Sequence, residues 1–191
     1  MTNPGDEVDS RSVGDPALFL SAGQLEQGLS LLPPPPKDEG RVVMIMRRTG
    51  GGRREILDSA RLLPGVGIQG DDPASGGEEQ LAVIWHDAAS LIANGQPLQL
   101  FGDNLFIQLD LSAGSLPPGS VVQAGEALLQ VTASPHDGCR KFGARFGPGG
   151  LRIVSDKRLR HLNLRGIYMK VLQEGSVKPG DPILVKSRPG A

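Results

Sequence analysis

The chain has 191 residues, with 20 Lys and Arg against 21 Asp and Glu and a formal net charge of −1. That length suits one domain or one domain with a short appendage, and the charge balance gives no basis for binding nucleic acid or an anionic membrane. A single cysteine excludes an intrachain disulfide framework and a CxxC metal site, and no apolar run approaches the ~18 residues of a membrane-spanning helix.

Hydrophobic residues make up 38% of the chain and aromatics 4%, so the core must be mainly Leu, Val and Ile. The 27 glycines and 16 prolines recur at short intervals, which favours many turns between short strands over a helix bundle. The opening MTNPGDEVDSRSVGDPA is acidic and polar, so no secretory signal peptide is expected. With one thiol and no framework of disulfides, a cytoplasmic location is expected. Leu18, Leu25, Leu29 and Leu32 fall at near-helical spacing, predicting a short helix from Ser21 that Gly23 and Gly28 weaken. Pro33–Pro36 is an extended spacer. Residues 1–36 therefore read as a tail and leader, and residues 37–191 as the folded domain.

The domain opens with RVVMIMR (41–47), a strand, followed by the flexible turn 49–54. Residues 55–63 suit either a strand or a short helix. Residues 64–77 form a glycine-rich loop, and QLAVIW (80–85) an apolar strand. Asp87 suits the N-cap of a short helix over 88–93 that Asn94-Gly95 closes. Leu105, Ile107 and Leu109 alternate as in a half-buried strand, and GEALLQVT (125–132) reads as another. LRIV (151–154) predicts a small strand, DKRLRHLN (156–163) a basic connection, and RGIYMKVL (165–172) and the end of 174–186 two more strands. At least six short strands with one or two short helices predict a mainly β domain, a closed or nearly closed barrel.

Chemistry concentrates in PHDGCRKFGARFG (135–147), which holds Cys139 with His136 before it and Arg140, Lys141 and Arg145 after it. A cysteine acts as nucleophile, metal ligand or sulfur carrier only as thiolate, which nearby positive charge favours. A small buried hydrophobe is the opposite reading of the same cysteine. Arg140 and Arg145 have the planar geometry to grip a phosphate, or lie on a solvated face. The glycine loop lacks both the GxxxxGK[ST] pattern and a GxGxxG opening a helix. Asp71-Asp72 suits a metal or a turn. Gly102-Asp103-Asn104 suits a tight turn or a polar cluster aimed at a ligand. His86, His136 and His161 do not supply the four donors of a zinc site, and no GxSxG elbow is present.

From about Gly40 to Lys186 the chain resembles the MOSC-domain family, the molybdenum cofactor sulfurase C-terminal domain. The ordered elements are a glycine loop ending in Gly70-Asp71, GDNLFIQLDLSAGSLPPGSVVQAGEALLQVT (102–132), the cysteine loop, and RGIYMKVLQEGSVKPGD (165–181). HDGCRKFGARFG looks like a small stand-alone bacterial branch, to which the leader 25–48 is also similar. The resemblance implies a barrel of the pyruvate kinase β-domain-like type. It implies that Cys139 carries sulfur or ligates the molybdenum of a pterin cofactor (molybdopterin), with His136 assisting. Arg140, Lys141, Arg145 and Arg165 would meet the cofactor phosphate, with Asp103 and Asn104 beside them. Some members reduce N-hydroxylated compounds, so the implied partners are a small-molecule substrate or a sulfur donor protein. The chain departs from the family's pattern at Ser75-Gly76-Gly77, where many members have His-Gly-Gly, and at Glu79, where a basic residue is usual. A non-catalytic module for a small anion or partner, and a metal-free thiol redox protein, are the alternative readings.

Overall fold

A computed structural model of the chain describes residues 8–9, 12–72 and 77–190. In chain order the elements are β1 (Val8–Asp9), α1 (Ala22–Leu31), β2 (Glu39–Thr49), β3 (Arg53–Leu57), β4 (Ala60–Leu63), β5 (Gly67–Ile68) and β6 (Leu81–Trp85). There follow α2 (His86–Ala93), β7 (Leu105–Gln108), β8 (Val121–Ala124), β9 (Ala127–Val131), α3 (Arg140–Ser155), β10 (Ile167–Gln173), β11 (Gly175–Val177) and β12 (Pro182–Ser187). Seven strands close a barrel in the order β2-β12-β8-β9-β10-β6-β7, with β7 pairing back onto β2. All its pairings are antiparallel except β6–β7, whose parallel register pairs Val83 with Leu105. Parallel neighbours need a crossover connection, and α2 lies in the one that joins these two. β3 and β1 extend the sheet beyond β2, and β11-β4-β5 form a small second sheet.

Two cores explain the patterning. Val42, Ile45, Leu81, Val83, Leu105 and Ile107 fill the barrel with Leu129, Met169 and Ile183. Met46, Ile84 and Phe106, from the same three strands, face outward into a layer with Leu25, Ile92, Phe142 and Ile153 of the helices. β6 is a continuous apolar run because both its faces are covered. β9 alternates buried and half-buried residues because only its inner face meets the core.

Helix α1 of the leader packs against α3 and α2 in the helix layer. Ser21 and Gln24 form a reciprocal capping box at the start of α1, and Leu25 is 1% exposed. Gly28 weakens the helix locally, but a Cβ there would lie 2.6 Å from Leu91 Cδ1 of α2. The close approach of α1 and α2 depends on that missing side chain. Residues 55–63, open between strand and helix in the sequence, form β3 and β4.

Three expectations need correction. There are three α-helices among the described residues, where one or two were expected. Asp87 is not the N-cap of α2: Trp85 holds that position, and Asp87 lies in the first turn with its carboxylate 3.0 Å from His86 Nδ1. Residues 151–154 are helical, within α3. The Gly147-Pro148-Gly149-Gly150 run reads as a break, and it is one: Gly147 sits at φ 75, ψ 173. The helix resumes beyond it because Pro148 has the φ of a first helical residue, while Gly147 supplies the positive-φ turn before it that glycine alone takes readily. Burial of Ile153 against the helix layer then outweighs the β preference of Ile153 and Val154.

Candidate functional site

Cys139 is exposed and occupies the N-cap of α3. Gly138 lets the preceding backbone lie against the second half of that helix, where a Cβ would meet Val154 Cγ2 at 2.8 Å. The sulfur makes no regular capping hydrogen bond. Partial burial pushes the thiol up, yet the amides of Phe142 and Lys141 and the charges of Arg165 and Arg145 outweigh it, leaving the thiol below its ordinary value. These surroundings favour the anionic form of a thiol at an open helix terminus.

Beside it lies a buried ionic group drawn from distant parts of the chain. Asp103 is fully buried, and its Oδ2 receives Arg165 Nη1 at 2.6 Å. Arg165 also donates to the Phe101 carbonyl at 3.2 Å and lies 5.2 Å above the Phe142 ring. His136 Nδ1 stands 3.7 Å from Asp103 Oδ1, and both atoms are buried without a partner. The His136 ring stacks on Tyr168 with centroids 4.3 Å apart. Burial first, opposed by Asp103 and reinforced by Arg165, lowers His136 to about 4, so it is neutral at pH 7.

Two further arginines complete the group. Arg54 and Arg145 are each 7% exposed. They donate to successive backbone carbonyls, Arg54 Nη1 to Gln99 at 3.0 Å and Arg145 Nη1 to Leu100 at 2.9 Å. Gly102, at φ 83, admits the Arg54 guanidinium: a Cβ there would be 3.0 Å from Nη2. Arg54 Nε is buried with no hydrogen-bond partner among the described residues. Burial, and repulsion from Arg145, Arg48 and Arg165, lower Arg54 to about 10 against the attraction of Asp103.

The expected site residues divide accordingly. Cys139, Arg145, Arg165, Asp103 and His136 are brought together. Arg140 and Lys141 are exposed on the first turn of α3 and make no ion pair or hydrogen bond among the described residues. The Asn104 side chain is engaged in the barrel, receiving the Ala82 amide at 3.0 Å and donating to the Met46 carbonyl and to Asp71. Asp71 pairs with Arg48 at 2.5 Å. Among the described residues no three His, Cys, Asp or Glu side chains are grouped to hold a metal ion. Ser75 and Gly76 lie outside the described residues. Glu78 is paired with Lys170 at 2.9 Å, and Glu79 lies close enough to Tyr168 to add to the upward push that burial gives its phenol. Sequence reasoning missed Arg54 and Tyr168. The sequence places Arg54 in the flexible turn 49–54, whereas it stands at a buried position of β3.

The MOSC domain model matches residues 82–184. No functionally curated protein matches the chain. Among solved structures, the YuaD protein from Bacillus subtilis is similar at TM-score 0.55 and 20% identity, over 76% of this chain and 94% of that one. YiiM from Escherichia coli is similar at TM-score 0.54 and 23% identity, over 78% of this chain and 70% of that one. YiiM from Geobacillus stearothermophilus gives 0.51 and 20%, over 81% and 76%. These likenesses concern the fold.

Proposed function

The chain belongs to the MOSC-domain family, and we propose that Cys139 is the residue through which it holds a molybdenum-bearing pterin cofactor. The observation that carries this reading is one exposed thiol at the start of α3 whose anionic form is favoured by helix amides and by Arg165 and Arg145. The donor set fits such a group. A thiolate suits a soft metal, and guanidinium groups suit phosphate oxygens. No protein cluster offers a metal several ligands among the described residues, so a metal would arrive with its own.

Cys139 would take the metal end, and Arg54, Arg145 and Arg165 the anionic end. When bound, the cofactor supplies two-electron chemistry, such as reduction of an N–O bond, or a transferable sulfur. Asp103 holds the Arg165 guanidinium in place through the 2.6 Å pair. Phe142, under that guanidinium, limits the water around it. The test is elemental and pterin analysis of protein purified without oxygen from a cofactor-competent host. Molybdenum or a labile sulfur should be present and should be lost in Cys139→Ser. Finding neither in the wild-type protein overturns the reading.

The two buried arginines favour a second reading, a non-catalytic module for a small anion. That module would bind phosphate equally well in Cys139→Ser. Strict dependence of binding on the thiol would exclude it.

A further inference from the structure

His136 faces two ways. On one side its Nδ1 looks at Asp103 Oδ1 across 3.7 Å. It also lines a cleft of about 160 Å³ whose walls include Leu116, Val131, Ser134, Pro135 and Ile167. This cleft lies where β9 ends and β10 begins, beside the loop at 113–118, and none of the arginines at the thiol lines it.

An ionised carboxylate only accepts hydrogen bonds, so the single N–H proton of the neutral imidazole belongs on the nitrogen that faces Asp103. Nε2 is then an acceptor. It has no protein partner among the described residues, and only Nδ1 of the ring is sealed from solvent without one. Tyr168 covers the ring from one side, which fixes its plane. Closing the gap to Asp103 requires a movement of less than an ångström, and hydrogen bonds at such sites are often long without ligand.

We infer that the cleft binds one small neutral planar ring bearing an O–H or N–H donor, with His136 Nε2 as the acceptor and Asp103 as the positioning residue that fixes its tautomer. The volume suits the size: a cavity of about 150 Å³ holds benzene. The lining suits the class, because Leu116, Val131, Pro135 and Ile167 offer apolar walls and no charged side chain lines the cleft to select an ion. An acceptor at the cleft favours a ligand that brings a donor over one that lacks it, since only the first makes the hydrogen bond.

Phenol and anisole form the test pair, the same ring with and without the donor. They are titrated separately into the full-length, metal-free protein at neutral pH, and the methyl signals of Val131 and Ile167 and the imidazole nitrogens of His136 are followed by NMR. Phenol should shift these signals at millimolar concentration. Anisole should bind about tenfold more weakly, ~1.4 kcal/mol. The imidazole spectrum should show the Nδ1–H tautomer, and Asp103→Asn should weaken that preference. His136→Phe keeps a ring on Tyr168 and should bring phenol down to the affinity of anisole. Equal binding of the two probes to the wild-type protein, or no shift at the cleft methyls with either, overturns the inference. A wild-type spectrum dominated by the Nε2–H tautomer overturns the role of Asp103. Because the readout needs neither metal nor thiol, failure here leaves the Cys139 reading standing.

Discussion

Cys139 and His136 are three residues apart, and their surroundings favour opposite charge states. The thiol sits at an exposed helix start where amides and arginines favour the anion. The imidazole is buried, and loss of solvation favours the neutral form. The histidine therefore leaves a mark on stability. Its folded value is about 4 against an ordinary 6.5. As pH falls through 6.5 the unfolded chain takes up a proton that the folded chain refuses. The contribution of His136 to stability should be flat above that point, fall between about 6.5 and about 4, and level off again. The loss attributable to this residue is about 3 kcal/mol. Denaturant titrations across that window should show the slope in wild type and a reduced one in His136→Phe. Asp103 offers a second test at this scale. Asp103→Asn leaves Arg165 without its buried counter-charge, and breaking such a pair costs about 3–5 kcal/mol. A thermal midpoint unchanged in Asp103→Asn would mean that the pair contributes little to stability.

At the scale of elements, α3 governs the site, because it begins at Cys139 and carries Arg145. Its kink at Gly147 combines φ 75 with ψ 173, a backbone region that side chains scarcely enter, and a Cβ there would be 2.7 Å from the Phe19 ring. Gly147→Ala should lower stability by about 2 kcal/mol or more, read as a lower denaturant midpoint with an unchanged slope. This helix was also the hardest element to read. Its three glycines and proline at 147–150 signal a loop, and LRIV after them signals a strand. Only packing against a layer built from α1, α2 and the outer faces of β2, β6 and β7 makes the segment helical. The barrel strands were legible because alternation records which face is inside, and this holds for β9 and β10. Strand pairing left no such record, so neither the closure of β7 onto β2 nor the approach of Arg54 on β3 to Gly102 could be read from the chain.

For the whole molecule, the barrel and the helix layer share three strands, so disturbance of the layer reaches the site. Leu25 of the leader is 1% exposed in that layer. Leu25→Ala should cost about 2–5 kcal/mol and should raise hydrogen exchange along α3 as well as α1. Exchange confined to α1 would mean that the leader is an independent appendage. At Cys139, Arg165 and Arg145 favour the anionic thiol and should attract other anions to it. The direct measurement compares rates of alkylation by iodoacetate and iodoacetamide at low salt, each relative to the same rate for an uncharged cysteine peptide. The arginines should accelerate the anionic reagent more than the neutral one, and rising salt should erase the difference. A relative rate for iodoacetate equal to or below that for iodoacetamide would contradict the account.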